Sequence, residues 1–331
     1  MSPSDDRLFV GIDLGGTHMQ IGVADRDGTL VGRARDHTHA SQGPEAVIER
    51  MARNIEAACS DASPRIDRER LEAVCIGAPG ALDPVSGIVH NAVNLRWRDL
   101  PLVDMMSACL NGTMQVSIDN DVNVALWGEY RLGACADKGY RNLLGVWVGT
   151  GIGGGLILNG QLHHGTFGTA GEFGQTTIYP DMGPASERVE YHGSRKHIVE
   201  NLKKLVRANH KTCLPELVAG DLDTLSIAHV AEAIKQNDEL ATNVVRHAAE
   251  VVGVAAANAV TLLSLDCVAL GGGVTEALGS TYINWVREAF DRFVFPDQCR
   301  QCVFEPTMLM DNAGLLGAAM LACDRSTSTG T

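Results

Sequence analysis

The chain has 331 residues, too many for one ordinary core and about right for two. Lys and Arg number 27 against 40 Asp and Glu, a formal charge of −13, which argues against nucleic acid as the main partner because phosphate backbones call for clustered cations. With 45% hydrophobic and 20% charged residues the composition is that of a globular enzyme rather than a disordered chain. The most apolar long stretch, 251–273, is broken by Asn258, Ser264 and Asp266 and ends in three glycines, so no membrane span is expected. No basic-then-apolar leader opens the sequence, and its nine cysteines are scattered among apolar neighbours, which reads as free thiols in a reducing cytoplasm. The lone C-x-x-C, Cys299 and Cys302, lacks the second pair that a zinc site needs.

In chain order, Leu8–Leu14 reads as a buried strand and 20–24 as a second, joined by Asp25-Arg26-Asp27-Gly28 to a third at 29–34. Pro44 opens a helix with Val47, Ile48, Met51 and Ile55 on one face. Strands follow at 71–78 and 114–118, then a helix over 122–132. The pattern then restarts: a strand at 143–148, another at 155–158, and a two-residue Asn159-Gly160 turn. Helices are expected over 194–209, 227–236 and 239–264, a strand at 267–270, and a last helix from about Ala313, with the tail from Arg325 fraying.

Three glycine-rich segments each follow a strand. Asp13-Leu14-Gly15-Gly16-Thr17 places a carboxylate, two glycines and a hydroxyl at a strand end; Gly149 to Gly155 repeats the amide-rich turn, and Gly271-Gly272-Gly273 opens a helix. Glycines let backbone N–H groups approach phosphates, and a carboxylate beside phosphates suits a divalent cation held through water. Any one such loop is more often a tight turn, but three at strand ends point to a nucleotide. They match neither a Walker A loop nor a dinucleotide fingerprint. The two strand–turn–hairpin starts suggest an internal duplication.

GIDLGGT from Gly11, GAPGALDPVSGIV from Gly77, Asn94-Leu95, NDVNVALWGE from Asn120, VGTGIGGGLILNGQLHHG from Val148, AGEFG from Ala170, VALGGGV from Val268 and GLLGAAML from Gly314 occur in this order. Together they resemble the ROK family of sugar kinases, relatives of glucokinase in the actin/hexokinase/Hsp70-like superfamily. The resemblance implies an α/β, two-domain, actin-like or hexokinase-like (duplicated ribonuclease H-like) fold with an interdomain cleft. Residues 1–118 would form the small domain, with a helix over 313–325 packing back on it, and 119–312 the large one. It further implies ATP and Mg²⁺ as cofactors, a small sugar as the other partner, and a homodimer.

Asn120-Asp121 lies where a strand meets a helix. Phosphoryl transfer asks for a carboxylate to orient the attacking hydroxyl and accept its proton, and Asp121 matches the family's catalytic position. A helix cap is the competing reading of that Asp. Asn94, Asn120, Asp121, Glu172 and Glu190 match sugar-contacting positions, and their side chains can pair with adjacent hydroxyls. Asp13 would position Mg²⁺; amides of Gly15, Gly16, Thr17, Thr150 and Gly151 would hold phosphates, and Gly271, Gly272 and Gly273 the nucleotide.

One departure stands out. Where relatives carry a His and a Cys-x-Cys-Gly-x-x-Gly-Cys run for a structural zinc, this chain has Gln175, Asp181, Gly183 and Arg188, so no zinc is expected. Gln175 remains a candidate sugar contact, and sugar selectivity is left open. His163 and His164 read as solvent or sugar-rim residues, and Trp97 and Trp127 as core. The leading function is phosphorylation of a hexose primary hydroxyl, glucose first. The alternatives are mannose, fructose, an N-acetylhexosamine or a cyclitol, or a non-catalytic sugar sensor; DNA binding is not expected from the charge and the short stretch before the first strand.

Overall fold

The computed structural model describes residues 7–181, 183 and 186–328. They fall into two compact units: residues 7–139, 164–170 and 308–328 in the first, and 140–163 with the described part of 171–307 in the second.

The first unit begins with the strands β1 (Leu8–Leu14), β2 (His18–Ala24) and β3 (Leu30–His37) and the helix α1 (Pro44–Asp61), followed by β4 (Leu71–Ala78). A small antiparallel sheet of β5 (Ala81–Asp83), β6 (Ile88–Ala92) and β7 (Trp97–Leu100) precedes α2 (Leu102–Cys109), β8 (Gln115–Asn120) and α3 (Asp121–Arg131). The main sheet runs β3-β2-β1-β4-β8, antiparallel through the first three strands and parallel from β1 to β8. Val47, Ile48, Met51 and Ile55 of α1 are all buried against this sheet's core, as the helical spacing requires.

The second unit contains β9 (Leu143–Val148), β10 (Ile152–Leu158), β11 (Gln161–Leu162), then α4 (Val189–Gly193), α5 (Arg195–Arg207), α6 (Leu214–Leu217), α7 (Ile227–Lys235) and the long α8 (Glu239–Leu263). β12 (Cys267–Gly271), α9 (Gly273–Leu278), α10 (Ser280–Phe293) and β13 (Val303–Pro306) complete it. Its sheet runs β11-β10-β9-β12-β13. Both sheets therefore have the same plan, in which the first strand of the unit lies centrally between its hairpin partner and a parallel strand. The duplication suspected from the two glycine turns is thus present in the topology. The Asn159-Gly160 turn has both residues at positive φ, 55° and 81°, the twist a two-residue hairpin requires.

The chain finally returns to the first unit as α11 (Ala313–Ser328). It packs across α3 at glycines: a Cβ on Gly317 would stand 1.7 Å from the Val124 carbonyl, so only Gly fits there. The helix runs to Ser328, so the tail expected to fray from Arg325 is helical for four residues, and 329–331 lie outside the described residues. Arg325 is held by Asp119 and by the Ile118 carbonyl, which ties that last turn to β8. The first unit extends past residue 118 to include α3, because α3 buries its apolar face under α11. The helix expected to open at the three glycines is α9, whereas β5–β7, α2, α4, α6, α10 and β13 have no counterpart among the expected elements. No described helix is long and apolar enough to cross a membrane.

Candidate active site

In the first unit the parallel register of β1, β4 and β8 sets Asp13, Gly77 and Asp119 in one row at the carboxyl ends of the strands, with Asn120 one step beyond. Ligands bind at such strand ends in α/β folds because side chains and amides leave the sheet there. Gly15 N donates to the His18 carbonyl (2.9 Å), and the Thr38 hydroxyl donates to the Gly15 carbonyl (2.7 Å), closing the turn after β1. A Cβ on Gly16 would stand 2.9 Å from Asn94 Cβ, so Asn94 lies directly on the Gly15–Thr17 turn. Asp13 is in a desolvated place: burial first, and then the Asp311 carboxylate, push its pKa from 3.8 up to about 6. The Asp13 carboxylate, with its oxygen donors, is of the kind that would suit Mg²⁺.

The start of α3 separates two roles that the sequence left entangled. Asn120, not Asp121, is the cap: its Oδ1 accepts from Val122 N (2.9 Å) and Asn123 N (3.4 Å), and its Nδ2 donates to the Gly80 carbonyl (3.3 Å). Asp121 is the first helical residue, half-buried, with one carboxylate oxygen accepting its neighbour's Val122 N–H at 2.9 Å.

Asp119 is fully buried and was not singled out from the sequence. Its carboxylate accepts from His164 Nε2 (2.9 Å), Arg325 Nη2 (2.5 Å), Asn123 Nδ2 (2.9 Å) and Asn120 N (2.9 Å). Burial would raise its pKa, but the His164 hydrogen bond and the Arg325 charge outweigh it and hold it below the usual range. His164, expected at the solvent or the sugar rim, is instead part of this network; His163 is exposed. The only sequence signal for it was a second acid in Asp119-Asn120-Asp121. Trp97 and Trp127 are buried, and Trp127 Nε1 donates to Asp324 (2.9 Å).

In the second unit the β9–β10 turn carries Thr150 and Gly151. Glu190 Oε2, from α4, accepts from Ile152 N (2.8 Å), and a Cβ on Gly151 would stand 2.3 Å from the same oxygen. Glu172 has its pKa raised by burial and then by Glu190, which brings the two predicted sugar-contacting carboxylates into one neighbourhood. Gly271 ends β12, and Gly272 (φ 86°) turns the chain against the Val148 backbone to start α9 at Gly273. Gln175 is exposed, and its carbonyl accepts from Arg188 Nη1 (2.5 Å).

The family model described as the ROK family matches residues 9–325. The chain belongs to the ROK family. It is 31% identical over 322 residues to the glucokinase of Streptomyces coelicolor, covering 95% of this chain and 97% of that one. It is 28% identical over 319 residues to the N-acetylmannosamine kinase of Yersinia pestis, covering 95% and 97%. The crystal structure of a ROK glucokinase from Streptomyces griseus in complex with glucose and AMPPNP superposes with a TM-score of 0.80 at 31% identity, covering 96% of this chain and 99% of that one. The fold is the actin/hexokinase-like fold of ROK proteins.

The zinc position of the ROK resemblance is occupied here by groups that do not fit zinc. An amide, a carboxylate, a glycine and a guanidinium offer neither thiolate nor imidazole, and Arg188 donates to Gln175 while pairing with Glu187. Among the described residues no three His, Cys, Asp or Glu converge as a metal set. Protein contacts join the described residues of this loop. Thr177 bridges Arg188; Ile178 N and Tyr179 N both donate to the Glu187 carbonyl (2.7 and 3.1 Å); His192 Nε2 meets the Ser186 carbonyl (2.7 Å); and Tyr179 stands edge-on to the His192 ring.

Proposed function

We propose that this ROK protein is an ATP-dependent sugar kinase that phosphorylates the primary hydroxyl of a hexose, glucose first. The observation that carries the reading is the row of residues at the strand ends of the first unit: Asp13, Gly77 and Asp119 stand level there, and Asp121 follows Asn120, the cap of α3, as the first residue of that helix. In this reading Asp121 and Asp13, the Gly15–Thr17 amides and Asn94 have their roles within the first unit, and the Thr150–Gly151 turn, Gly271–Gly273, Glu172, Gln175 and Glu190 have theirs within the second. Asp13 would hold Mg²⁺, which when bound neutralises charge on the phosphates. Asp121 accepts the hydroxyl proton as the sugar oxygen forms its bond to the γ-phosphorus, and the bond from that phosphorus to the bridging oxygen of ADP breaks. The glycine-turn amides orient the phosphates. Asn94, Glu172 and Glu190 pair with ring hydroxyls, and an epimer that leaves one of these groups unpaired is rejected. A homodimer and a cytoplasmic location accompany this reading.

The test is ADP release with Mg-ATP across glucose, mannose, fructose, N-acetylglucosamine, N-acetylmannosamine and cyclitols, run beside Asp121→Ala. Turnover on glucose that falls by about 10²–10⁴-fold in the variant, with glucose binding retained, is the expected result. Turnover on another sugar alone corrects the substrate. Equal turnover in the variant removes Asp121 as the base.

A further inference from the structure

We infer that Arg195 is a nucleotide-phosphate-binding residue, an assignment that rests on the kinase reading and deepens it. Arg195 is the first residue of α5 and touches the glycine segments of its unit in three ways. Its backbone N donates to the Gly149 carbonyl (2.9 Å), its Nη2 donates to the Thr150 hydroxyl (2.6 Å), and its Nη1 lies 3.3 Å from where a Cβ on Gly273 would be. One guanidinium thus spans the β9–β10 turn and the start of α9, the two glycine segments of this unit that the kinase reading gives to the nucleotide. Thr150 Oγ1 accepts from Arg195, and its own O–H remains able to donate beside the guanidinium. The amide turns carry only partial charge, whereas a nucleotide phosphate chain carries several full negative charges. A planar, permanently charged fork is the side chain best matched to phosphate oxygens. Arg195 also lines a cavity of about 270 Å³ whose apolar walls are Val199, Leu225 and Ile227. Those walls suit a base, so the guanidinium sits where a phosphate chain leaves the nucleoside, and it reads the phosphates nearest the nucleoside.

The experiment is calorimetric titration of the full chain with MgADP and, separately, with adenosine, for wild type, Arg195→Ala and Arg195→Lys. Melting curves without ligand establish that each variant is folded, and Arg195→Gln replaces Arg195→Ala if the latter is not. Arg195→Ala is expected to weaken MgADP about 10- to 100-fold while leaving adenosine binding unchanged, with Arg195→Lys in between because it keeps charge but loses the fork. Unchanged MgADP affinity in Arg195→Ala overturns the assignment and leaves the kinase reading standing. Equal losses for MgADP and adenosine overturn it too, since they would mean that Arg195 only shapes the pocket. Wild-type protein that binds no nucleotide overturns the kinase reading and this assignment together.

Discussion

At the scale of single residues, the carboxylates of the first unit divide into two kinds. Asp119 is buried but amply paired, and its pKa is held low; Asp13 is desolvated, faces another acid, and is pushed up to about 6. A carboxyl whose pKa in the fold exceeds its ordinary 3.8 favours the fold in its protonated form, so that contribution is complete below pH 3.8 and is lost as pH rises through about 6. In the metal-free protein, Asp13→Asn is therefore expected to be more stable than wild type above pH 6, by on the order of 2 kcal/mol, with the gap closing below pH 4. Urea unfolding at pH 4 and pH 8 measures it. The same variant should lose most turnover if the Asp13 charge holds Mg²⁺ as proposed, a case in which a site gives up stability for function. Equal stability of the two proteins at pH 8 would show that Asp13 is well solvated or paired.

At the scale of elements, the described residues of the segment from Gln175 to His192 are tied together by protein contacts. Side-chain and backbone contacts converge among them, and the Arg188–Gln175 hydrogen bond joins two of the positions where the ROK resemblance implies metal ligands. Excess EDTA is expected to leave the melting temperature unchanged, and elemental analysis to find no stoichiometric zinc. A drop of several degrees on chelation would mean that a metal holds the loop after all. Arg188→Ala should raise the KM for sugar with little change in kcat, because it frees Gln175 without touching Asp121. A fall in kcat with KM unchanged would deny that link.

At the scale of the whole molecule, each unit has its own hydrophobic core, one built on β1–β4 with α1 and the other on β9, β12 and the long α8. A ligand that binds only the folded state stabilises what it binds by RT ln(1 + [L]/Kd), about 2.7 kcal/mol at a hundred times Kd. With the nucleotide read as held by Thr150, Gly151 and Gly271–Gly273, MgADP should slow amide hydrogen exchange in β9, β10 and the start of α9. Protection confined to the first unit would contradict that placement. The matching order of the two sheets belongs to this scale as well. Two short glycine motifs hinted at it, but only strand pairing makes it a repeat of the whole five-stranded plan.

Much of this protein was legible in its residues. The strands β1, β4 and β9 and the helices α1, α7 and α8 announce themselves by apolar period, by Pro44 at a helix start and by glycines at strand ends, because those signals are local. The candidate base was legible for the same reason, since Asn120-Asp121 stands at a strand–helix junction. What the tertiary structure decided is pairing over long separations. It gave the cap to Asn120, set His164 and Arg325 on Asp119, and brought Arg195 to a turn 45 residues earlier in the chain. An apolar pattern tells a segment to be buried, but a buried carboxylate or a guanidinium takes its role from whichever partner the fold delivers, and no local period encodes that partner.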